Sequence, residues 1–117
     1  MVRGTKAYGV REFLLEDGTS LVGQWLNDLP VPVRARIAAR IARFESGNLG
    51  DSKPVGGGVF EARFLFGPGY RLYFGIHQGR IILLITGGDK GSQKRDIKQA
   101  KTYWREFLEE SNVQKKS

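Results

Sequence analysis

Apolar and polar residues alternate along the start of the chain and then recur at helical spacing. The alternation over residues 6–15 predicts a half-buried strand. Thr19 or Ser20 can cap the helix that follows, and residues 30–32, with two prolines, end it before a second helix begins. The second helix turns an apolar stripe toward the core, and Gly47 ends it. The stripe consists of Val33, Ile37, Ile41 and Phe44, and the arginines around it are Arg34, Arg36, Arg40 and Arg43.

The rest of the chain predicts a sheet closed by one more helix. Residues 48–58 are rich in glycine and predict a loop. Three strands follow, at residues 59–66, 70–76 and 81–86, and the tight turns between them favour antiparallel pairing. Ser92 can cap a final helix, and the polar residues 111–117 are expected to form a flexible tail. The sequence therefore predicts a single α+β domain over residues 1–117.

The net charge of the chain indicates which classes of partner it binds, and it says little about the fold. There are 19 Lys and Arg against 12 Asp and Glu, a formal net charge of +7, and such an excess favours phosphate polyanions, nucleic acid above all. The alternative is that the charge only keeps the protein in solution. An anionic membrane fits less well, because no helix pairs a basic face with an inserting aromatic face.

The same composition excludes several kinds of chemistry. With no Cys and a single His, His77, the chain has neither a disulfide nor a thiolate site and too few ligands for the common zinc centres. We expect no metal and no cofactor. Residues 1–10 have no long apolar run, and no stretch is long enough to span a bilayer, so we expect a cytoplasmic protein without a membrane partner.

Basic side chains converge on the predicted sheet. Arg63 and Arg71 come close together if their strands pair as a hairpin, with Lys53 before the sheet and Lys90 after it. Like charges gathered in this way indicate a bound anion. The alternative is that Glu61 pairs with one arginine and that the other charges are solvated.

Two glycine-rich stretches are candidates for phosphate-binding loops. Residues 55–58 precede a strand rather than a helix, and residues 87–92 lack the full spacing of a P-loop or a dinucleotide-binding fingerprint. The second stretch lies between a strand and a helix, where backbone N–H groups can hold one phosphate beside Lys90. A bare turn is the alternative.

Four segments carry a resemblance that extends over nearly the whole chain. They are residues 47–54 (GNLGDSKP), 61–63 (EAR), 67–74 (GPGYRLYF) and 87–90 (GGDK). On these segments the sequence resembles the phage-derived addiction-module killer proteins, which are HigB-like toxins of the RelE/ParE superfamily. The resemblance implies two N-terminal helices packed on a small, mainly antiparallel sheet, with a C-terminal helix.

The resemblance also implies an activity and partners. Most relatives cleave mRNA in the ribosomal A site without a metal: the ribose 2′-hydroxyl attacks the adjacent phosphate, and basic side chains orient it and stabilise the charge. The chain is therefore expected to be a ribosome-dependent endoribonuclease toxin that arrests translation. A helix-turn-helix antitoxin is the expected neutralising partner, and operator DNA is reached only through the antitoxin.

The resemblance assigns roles to individual residues. Two strand arginines match those around the scissile phosphate in RelE-like toxins, and a lysine after the last strand matches a third basic residue. Asp96 lies where some relatives have a catalytic Tyr, with capping or pairing near Lys90 or Arg95 as the alternative. The expected catalytic residues are Arg63, Arg71 and Lys90, the expected RNA contacts are Lys53, Tyr70, Tyr73 and Arg95, and the candidate acid or base is Asp96.

Two other functions stay open on the sequence. The ParE branch of the superfamily inhibits DNA gyrase by binding alone, and similarity of fold does not fix the chemistry. A chain that only binds antitoxin and operator DNA would cause no growth arrest. Toxicity that depends on Arg71 would distinguish a ribonuclease from a gyrase inhibitor.

Overall fold

The computed structural model describes residues 7–116, with side chains through residue 113. Residues 6 and 117, at which the predicted first strand begins and the predicted tail ends, lie outside the described residues. The α+β class and the C-terminal helix are confirmed. The strands are β1 (Gly9–Glu12), β2 (Ser52–Gly56), β3 (Val59–Arg63), β4 (Arg71–His77) and β5 (Ile81–Gly88), and the helices are α1 (Leu21–Asn27), α2 (Val31–Glu45) and α3 (Gln93–Lys116), with a 3₁₀ turn at Lys90–Ser92.

The five strands form one mixed sheet in the order β1-β5-β4-β3-β2. Short turns join β2 through β5, and these strands pair antiparallel in chain order. β1 instead lies parallel to β5. A parallel pair needs a long crossover connection, which the helices and the three strands between β1 and β5 supply.

The edge strand β2 corrects the prediction that residues 48–58 form a loop. Ser52–Gly56 pairs with β3. Pro54 is tolerated there because an edge strand leaves half of its N–H groups unpaired, and a bulge between Pro54 and Gly56 ends the regular pairing. The glycines of residues 56–58 all have positive φ, and they form only the tight turn into β3.

Two hydrophobic clusters lie on opposite faces of the sheet. Val22 of α1 packs with Ile37 and Phe44 of α2 against one face, and Ala100 and Trp104 of α3 pack against the other. Strands buried on both sides read as continuous apolar runs, as β5 does. On the first face the buried residues of the sheet are Ala62, Leu72, Phe74, Ile82 and Leu84, with Phe64 directly after β3, and on the second face they are Val59, Tyr73, Leu83 and Ile85.

The last helix is longer than predicted. It continues through Lys116, whereas the polar sequence after Ser111 predicted a flexible tail. Ser111 Oγ lies 3.5 Å from His77 Nε2, and the Phe107 ring stands edge-on to the His77 ring. These contacts fix the helix against the end of β4, and the Gln and Lys residues beyond them favour helix by intrinsic propensity.

Glycines in the sheet allow tryptophans from both faces to reach the backbone. A Cβ on Gly75 of β4 would lie 2.4 Å from the Trp104 ring, and a Cβ on Gly87 of β5 would lie 2.2 Å from the Trp25 ring. No Cβ fits at such distances without movement of the indole. The helix layers therefore dock where the sheet has no side chain.

We expect Gly75→Ala to lower the free energy of unfolding by about 1–3 kcal/mol, because the added methyl group overpacks the Trp104 site. Urea unfolding followed by circular dichroism measures this loss. Gly9→Ala is the matched control, since its Cβ would meet only Ile81 at an ordinary 3.9 Å. Equal losses in the two variants would contradict the docking role of Gly75.

Candidate nucleic-acid interface

Arg63 and Arg71 lie directly opposite each other on β3 and β4. Their Cα positions pair in the antiparallel register, as the hairpin prediction required. Residues paired in this way project from the same face, with their Cβ atoms about 5 Å apart. Gly88 is the residue of β5 that pairs with Arg71, and on the other side Arg63 N donates to the Asp51 carbonyl just before β2. We call Arg63 and Arg71 the arginine pair.

Each arginine of the pair has an acidic partner. Arg63 Nη2 lies 3.2 Å from Asp51 Oδ1, and both side chains are 40% exposed. Arg71 Nε lies 3.5 Å from Glu61 Oε2, and Arg71 Nη1 donates to the Gly69 carbonyl at 2.7 Å. The alternative that Glu61 pairs with one arginine is confirmed for Arg71, whereas Arg63, expected to be solvated in that alternative, pairs with Asp51. An exposed ion pair opens at little cost, so Arg63 is free to exchange its partner, whereas Arg71 is held in place.

Glu61 is the centre of a buried polar network. Its side chain is fully buried, and Oε2 accepts hydrogen bonds from the Tyr73 hydroxyl at 3.0 Å and from the Gln93 amide at 2.8 Å. Gln93 is the first residue of α3, so the carboxylate fixes the start of that helix over the sheet. Local sequence pattern does not reveal this contact, because Gln93 lies 32 residues from Glu61 along the chain.

Tyr73 cannot act as the sequence suggested. Its side chain is fully buried in the cluster beneath α3, so it offers no ring face to a base, and the prediction that it contacts RNA is wrong. Burial raises the pKa of the Tyr73 phenol, and the Glu61 carboxylate raises it further. Alternation did not reveal this burial, because β4 is covered on both faces.

Lys90 and Tyr70 lie beside the arginine pair. Lys90 is exposed, and it shares the space around Gly69 with Arg71: a Cβ on Gly69 would lie 3.2 Å from Arg71 Nη1 and 3.5 Å from Lys90 Cβ. Tyr70 is half-buried, and its ring packs 5.6 Å from the ring of Phe66. The structure thus brings Arg71 and Lys90 together and leaves part of Tyr70 accessible.

The backbone N–H groups after β5 already have an acceptor. The Asp89 carboxylate accepts from Gly91 N at 2.8 Å and from Ser92 N at 3.2 Å, and Ser92 Oγ accepts from Asp89 N in return. This capping box uses the donors that a phosphate would need. The bare-turn alternative therefore describes residues 87–92, where Lys90 offers only its side chain.

Asp96 has the capping and pairing role rather than an exposed catalytic one. It is 3% exposed, accepts a hydrogen bond from Ser92 Oγ, and lies 3.6 Å from Arg95 Nε. A Cβ on Gly88 would lie 1.9 Å from Asp96 Oδ2, so the carboxylate occupies the space that a side chain on β5 would take. Asp96 lies in the first turn of α3, and its hydroxyl partner Ser92 ends the 3₁₀ turn just before that helix.

The remaining predicted contacts, Lys53 and Arg95, are exposed cations. Lys53 lies on β2 opposite Glu61 in the register. Arg95 projects from the first turn of α3 with 80% of its side chain exposed. Both side chains have the exposure that a contact to phosphate requires.

A basic cleft that the sequence did not predict adjoins Arg63. It has a volume of about 380 Å³ and lies between α2 and the residues that follow β3. The Arg36 guanidinium lies 3.7 Å from the centre of the Phe66 ring, and Leu65 beside it is 85% exposed. Three arginines at spacing i, i+4 and i+7 on α2 were the available signal. The cleft is lined by Arg36, Arg40, Arg43 and Arg63, with one acidic residue, Asp51.

Arg40, unlike the other arginines of the basic cleft on α2, stabilises the fold through hydrogen bonds to the backbone. Its guanidinium donates to the backbone carbonyls of Asp51 at 2.7 Å, of Leu49 at 3.3 Å and of Arg63. Burial lowers the pKa of Arg40, but a guanidinium stays charged in proteins. These hydrogen bonds join α2 to the segment just before β2 and to the last residue of β3. They fix the backbone positions of Asp51 and Arg63.

The groups gathered at the interface are cations and their hydrogen-bonded partners, a set that suits anions. In the part of the chain that the structure describes, no three His, Asp or Glu side chains gather as metal ligands would. Nor does any helix between residues 7 and 116 combine the length and the apolar character that crossing a bilayer requires.

The part of the chain that is similar to known proteins includes this interface. Residues 24–106 match the sequence profile of the family described as Phage derived protein Gp49-like (DUF891). An uncharacterized protein of Haemophilus influenzae is 47% identical over 78 residues, which are 66% of this chain and 79% of that protein. The region that matches the family contains the arginine pair, Lys90 and the whole basic cleft.

We expect Arg71→Ala to lower the free energy of unfolding by about 3 kcal/mol or more, because it leaves the Glu61 carboxylate buried without its cation. Adding Glu61→Gln should make the double variant less destabilised than the sum of the two single changes. Urea unfolding of the four proteins measures the coupling. Arg63→Ala is the control, with a loss below about 1 kcal/mol; a loss as large as that of Arg71→Ala would refute this distinction.

The burial of the Tyr73 phenol beside Glu61 should make stability depend on alkaline pH. Because the pKa of Tyr73 is raised in the folded chain, the unfolded chain loses this proton first, at about pH 10. The stabilisation is complete below that pH and is lost as the pH rises above it. Wild type should therefore lose more unfolding free energy than Tyr73→Phe between about pH 8 and about pH 11, as measured by urea unfolding. Parallel losses would contradict it.

Proposed function

Because the chain belongs to the phage-derived Gp49-like family, we propose that it is the toxin of a type II toxin–antitoxin module, of the HigB-like, RelE/ParE kind. The proposed activity is metal-independent, ribosome-dependent cleavage of mRNA, which arrests translation. The observation that carries this proposal is the arginine pair, set opposite each other on β3 and β4 with Lys90 alongside. The net charge of +7 supports it, since the mRNA and its ribosome are polyanions.

The arginine pair suits one phosphate group. Guanidinium groups bind phosphate oxygens through two parallel hydrogen bonds, and two arginines at paired positions can approach the same phosphate. Arg71 is held by Glu61 and the Gly69 carbonyl, so its remaining N–H groups are oriented before RNA binds. Arg63 can exchange its exposed pairing with Asp51 for the phosphate.

In the proposed reaction the ribose 2′-oxygen bonds to the adjacent phosphorus, and the bond from phosphorus to the 5′-oxygen breaks. The products are a 2′,3′-cyclic phosphate and a 5′-hydroxyl end. Arg63 and Arg71 stabilise the extra negative charge on the phosphoryl oxygens, and Lys90 gives a proton to the leaving 5′-oxygen. Tyr73 and Asp96 are buried in hydrogen bonds of their own, so the 2′-hydroxyl proton passes to water.

The basic cleft extends the proposed RNA path beyond the scissile phosphate. Arg36 and Arg43 are exposed on α2 and can bind neighbouring phosphates. Arg36 already lies over the Phe66 ring, and exposed Leu65 adds an apolar contact for a base. Cations alternating with apolar and aromatic side chains are the pattern that single-stranded RNA favours.

The proposed partners follow from this activity. The targets are the ribosome and its mRNA in the cytoplasm, and a helix-turn-helix antitoxin neutralises the toxin. Contact with operator DNA takes place only through the antitoxin. The proposal includes no cofactor and no membrane partner.

The alternative function is ParE-like inhibition of DNA gyrase by binding alone. One observation favours it: both members of the arginine pair already have acidic partners within the chain, Asp51 and Glu61. A binding inhibitor does not need those side chains to be released. Its activity would depend on exposed helix residues instead.

Mapping of mRNA 5′ ends after induced expression in a bacterial host tests the proposed activity. We expect wild type to produce new 5′ ends in phase with the reading frame. We expect Arg63→Ala to reduce them at least about tenfold, because one stabilising charge on the phosphate is lost. Arg63 is preferred to Arg71 for this test, since removal of Arg71 also destabilises the fold by leaving the buried Glu61 carboxylate without its cation.

Arg80→Ala is the matched control for that experiment. It removes the same charge from an exposed residue in the β4–β5 turn, at the other end of β4 from Arg71. Cleavage should persist in this variant. Growth arrest with intact mRNA would overturn the ribonuclease proposal in favour of gyrase inhibition, and absence of arrest would indicate a chain that only binds its antitoxin.

A further inference from the structure

A groove at the far end of α3 carries the opposite charge from the rest of the surface. It has a volume of about 730 Å³ and lies between the C-terminal half of α3 and residues 13–16, which follow β1. We call it the acidic groove. Its apolar residues are Phe13, Leu14, Leu15, Tyr103 and Val113, and its acidic residues are Glu16, Glu106, Glu109 and Glu110.

The apolar part of the acidic groove is open to solvent. Leu14 is 56% exposed and Val113 is 68% exposed, and they are two of the four large apolar side chains that the described residues leave exposed. The same groove contains an aromatic contact, with the Phe13 and Tyr103 ring centroids 5.1 Å apart. Contiguous exposed apolar surface with a polar rim is typical of a site for another protein.

Among the side chains that the structure describes, no cation lines the acidic groove. Glu106, Glu109, Glu110 and Val113 follow the spacing i, i+3, i+4 and i+7, so they share one face of α3. Like charges at such spacing destabilise a helix. None of the ion pairs among the described side chains involves a glutamate of the groove. A basic chain therefore concentrates four of its 12 acidic residues where cations from outside would relieve their repulsion.

We propose that the acidic groove binds an amphipathic, cationic helix of a second protein. The helix would bury its apolar residues against Leu14, Val113 and the two rings, and it would place lysine or arginine side chains over the glutamates. A helix suits the groove because the glutamates recur along α3 at helical spacing, and cations at the same spacing on a second helix can lie opposite them. From Gln93 to Glu106 the axis of α3 rises by about 20 Å, so the groove is separate from the arginine pair and the inference goes beyond the proposed RNA activity.

A second copy of this chain fits the acidic groove poorly. Two copies each carry a net charge of +7, which opposes their association. The most arginine-rich helix, α2, already buries Ile37 and Phe44 in its own core. It cannot offer an apolar face and a cationic face to a neighbour at the same time.

Fluorescence anisotropy with a labelled synthetic peptide tests the proposal. The probe is a helix-forming peptide of about 18 residues made of leucine, lysine and alanine, with leucine at helical spacing. The control peptide has glutamate in place of every lysine. We expect the full chain to bind the lysine peptide at least about tenfold more tightly than the control, and we expect added salt to weaken that binding.

Paired variants locate the binding on the protein. Glu106→Lys with Glu109→Lys should weaken binding at least about tenfold, whereas Asp28→Lys with Glu45→Lys, which makes the same change of net charge at exposed positions elsewhere, should change it far less. Leu14→Ser with Val113→Ser should also weaken binding. Its control is Val31→Ser with Leu65→Ser, which removes apolar side chains exposed elsewhere. Circular dichroism confirms that each variant is folded.

Two results would overturn the proposal. In the first, the groove variants and their controls weaken binding of the peptide equally, or none of them weakens it. In the second, sedimentation shows that wild type forms dimers that the groove variants lose, which would make a second copy the occupant. Neither result depends on RNA cleavage, so this inference and the proposed ribonuclease can fail separately.

Discussion

The buried carboxylate of Glu61 is the constraint on which the rest of this structure depends. A carboxylate removed from water costs several kcal/mol unless its environment compensates. Here Arg71 supplies a charge, and Tyr73 and Gln93 supply hydrogen bonds. These partners come from two neighbouring positions of the sheet and from the first residue of α3. The network therefore fixes where α3 begins and how far above the sheet it starts. It also orients Arg71.

The two members of the arginine pair consequently differ in kind. Arg71 serves the fold through Glu61, and only its remaining N–H groups can serve a ligand. Arg63 shares an exposed pairing with Asp51, and Arg40 holds the backbone of both residues. One arginine is thus fixed by burial, while the other is positioned by its backbone and keeps a side chain that can change partner. A phosphate between them would meet one oriented donor and one adaptable donor.

Periodicity predicted the elements whose apolar residues repeat regularly, and it failed where burial or composition concealed the pattern. The stripe of α2 and the three central strands were found in this way, and hairpin pairing was enough to place Arg63 opposite Arg71. β2 was missed because its proline and the glycines after it read as a loop. Tyr73 was misassigned because a strand covered on both faces has no polar side to mark exposure. The contacts of Glu61 and Arg40 connect distant parts of the chain, which local pattern does not encode.

Charge is separated along α3, and this separation bears on how the two surfaces act together. The helix begins beside the arginine pair, at Gln93, and its second half forms the rim of the acidic groove. The roughly 20 Å between them exceeds the Debye length of about 8 Å at physiological salt. A cationic helix bound at the groove would therefore change the potential at the arginine pair only slightly. The buried Glu61 network also fixes the start of α3, so an occupant of the acidic groove would leave the arginine pair in its place.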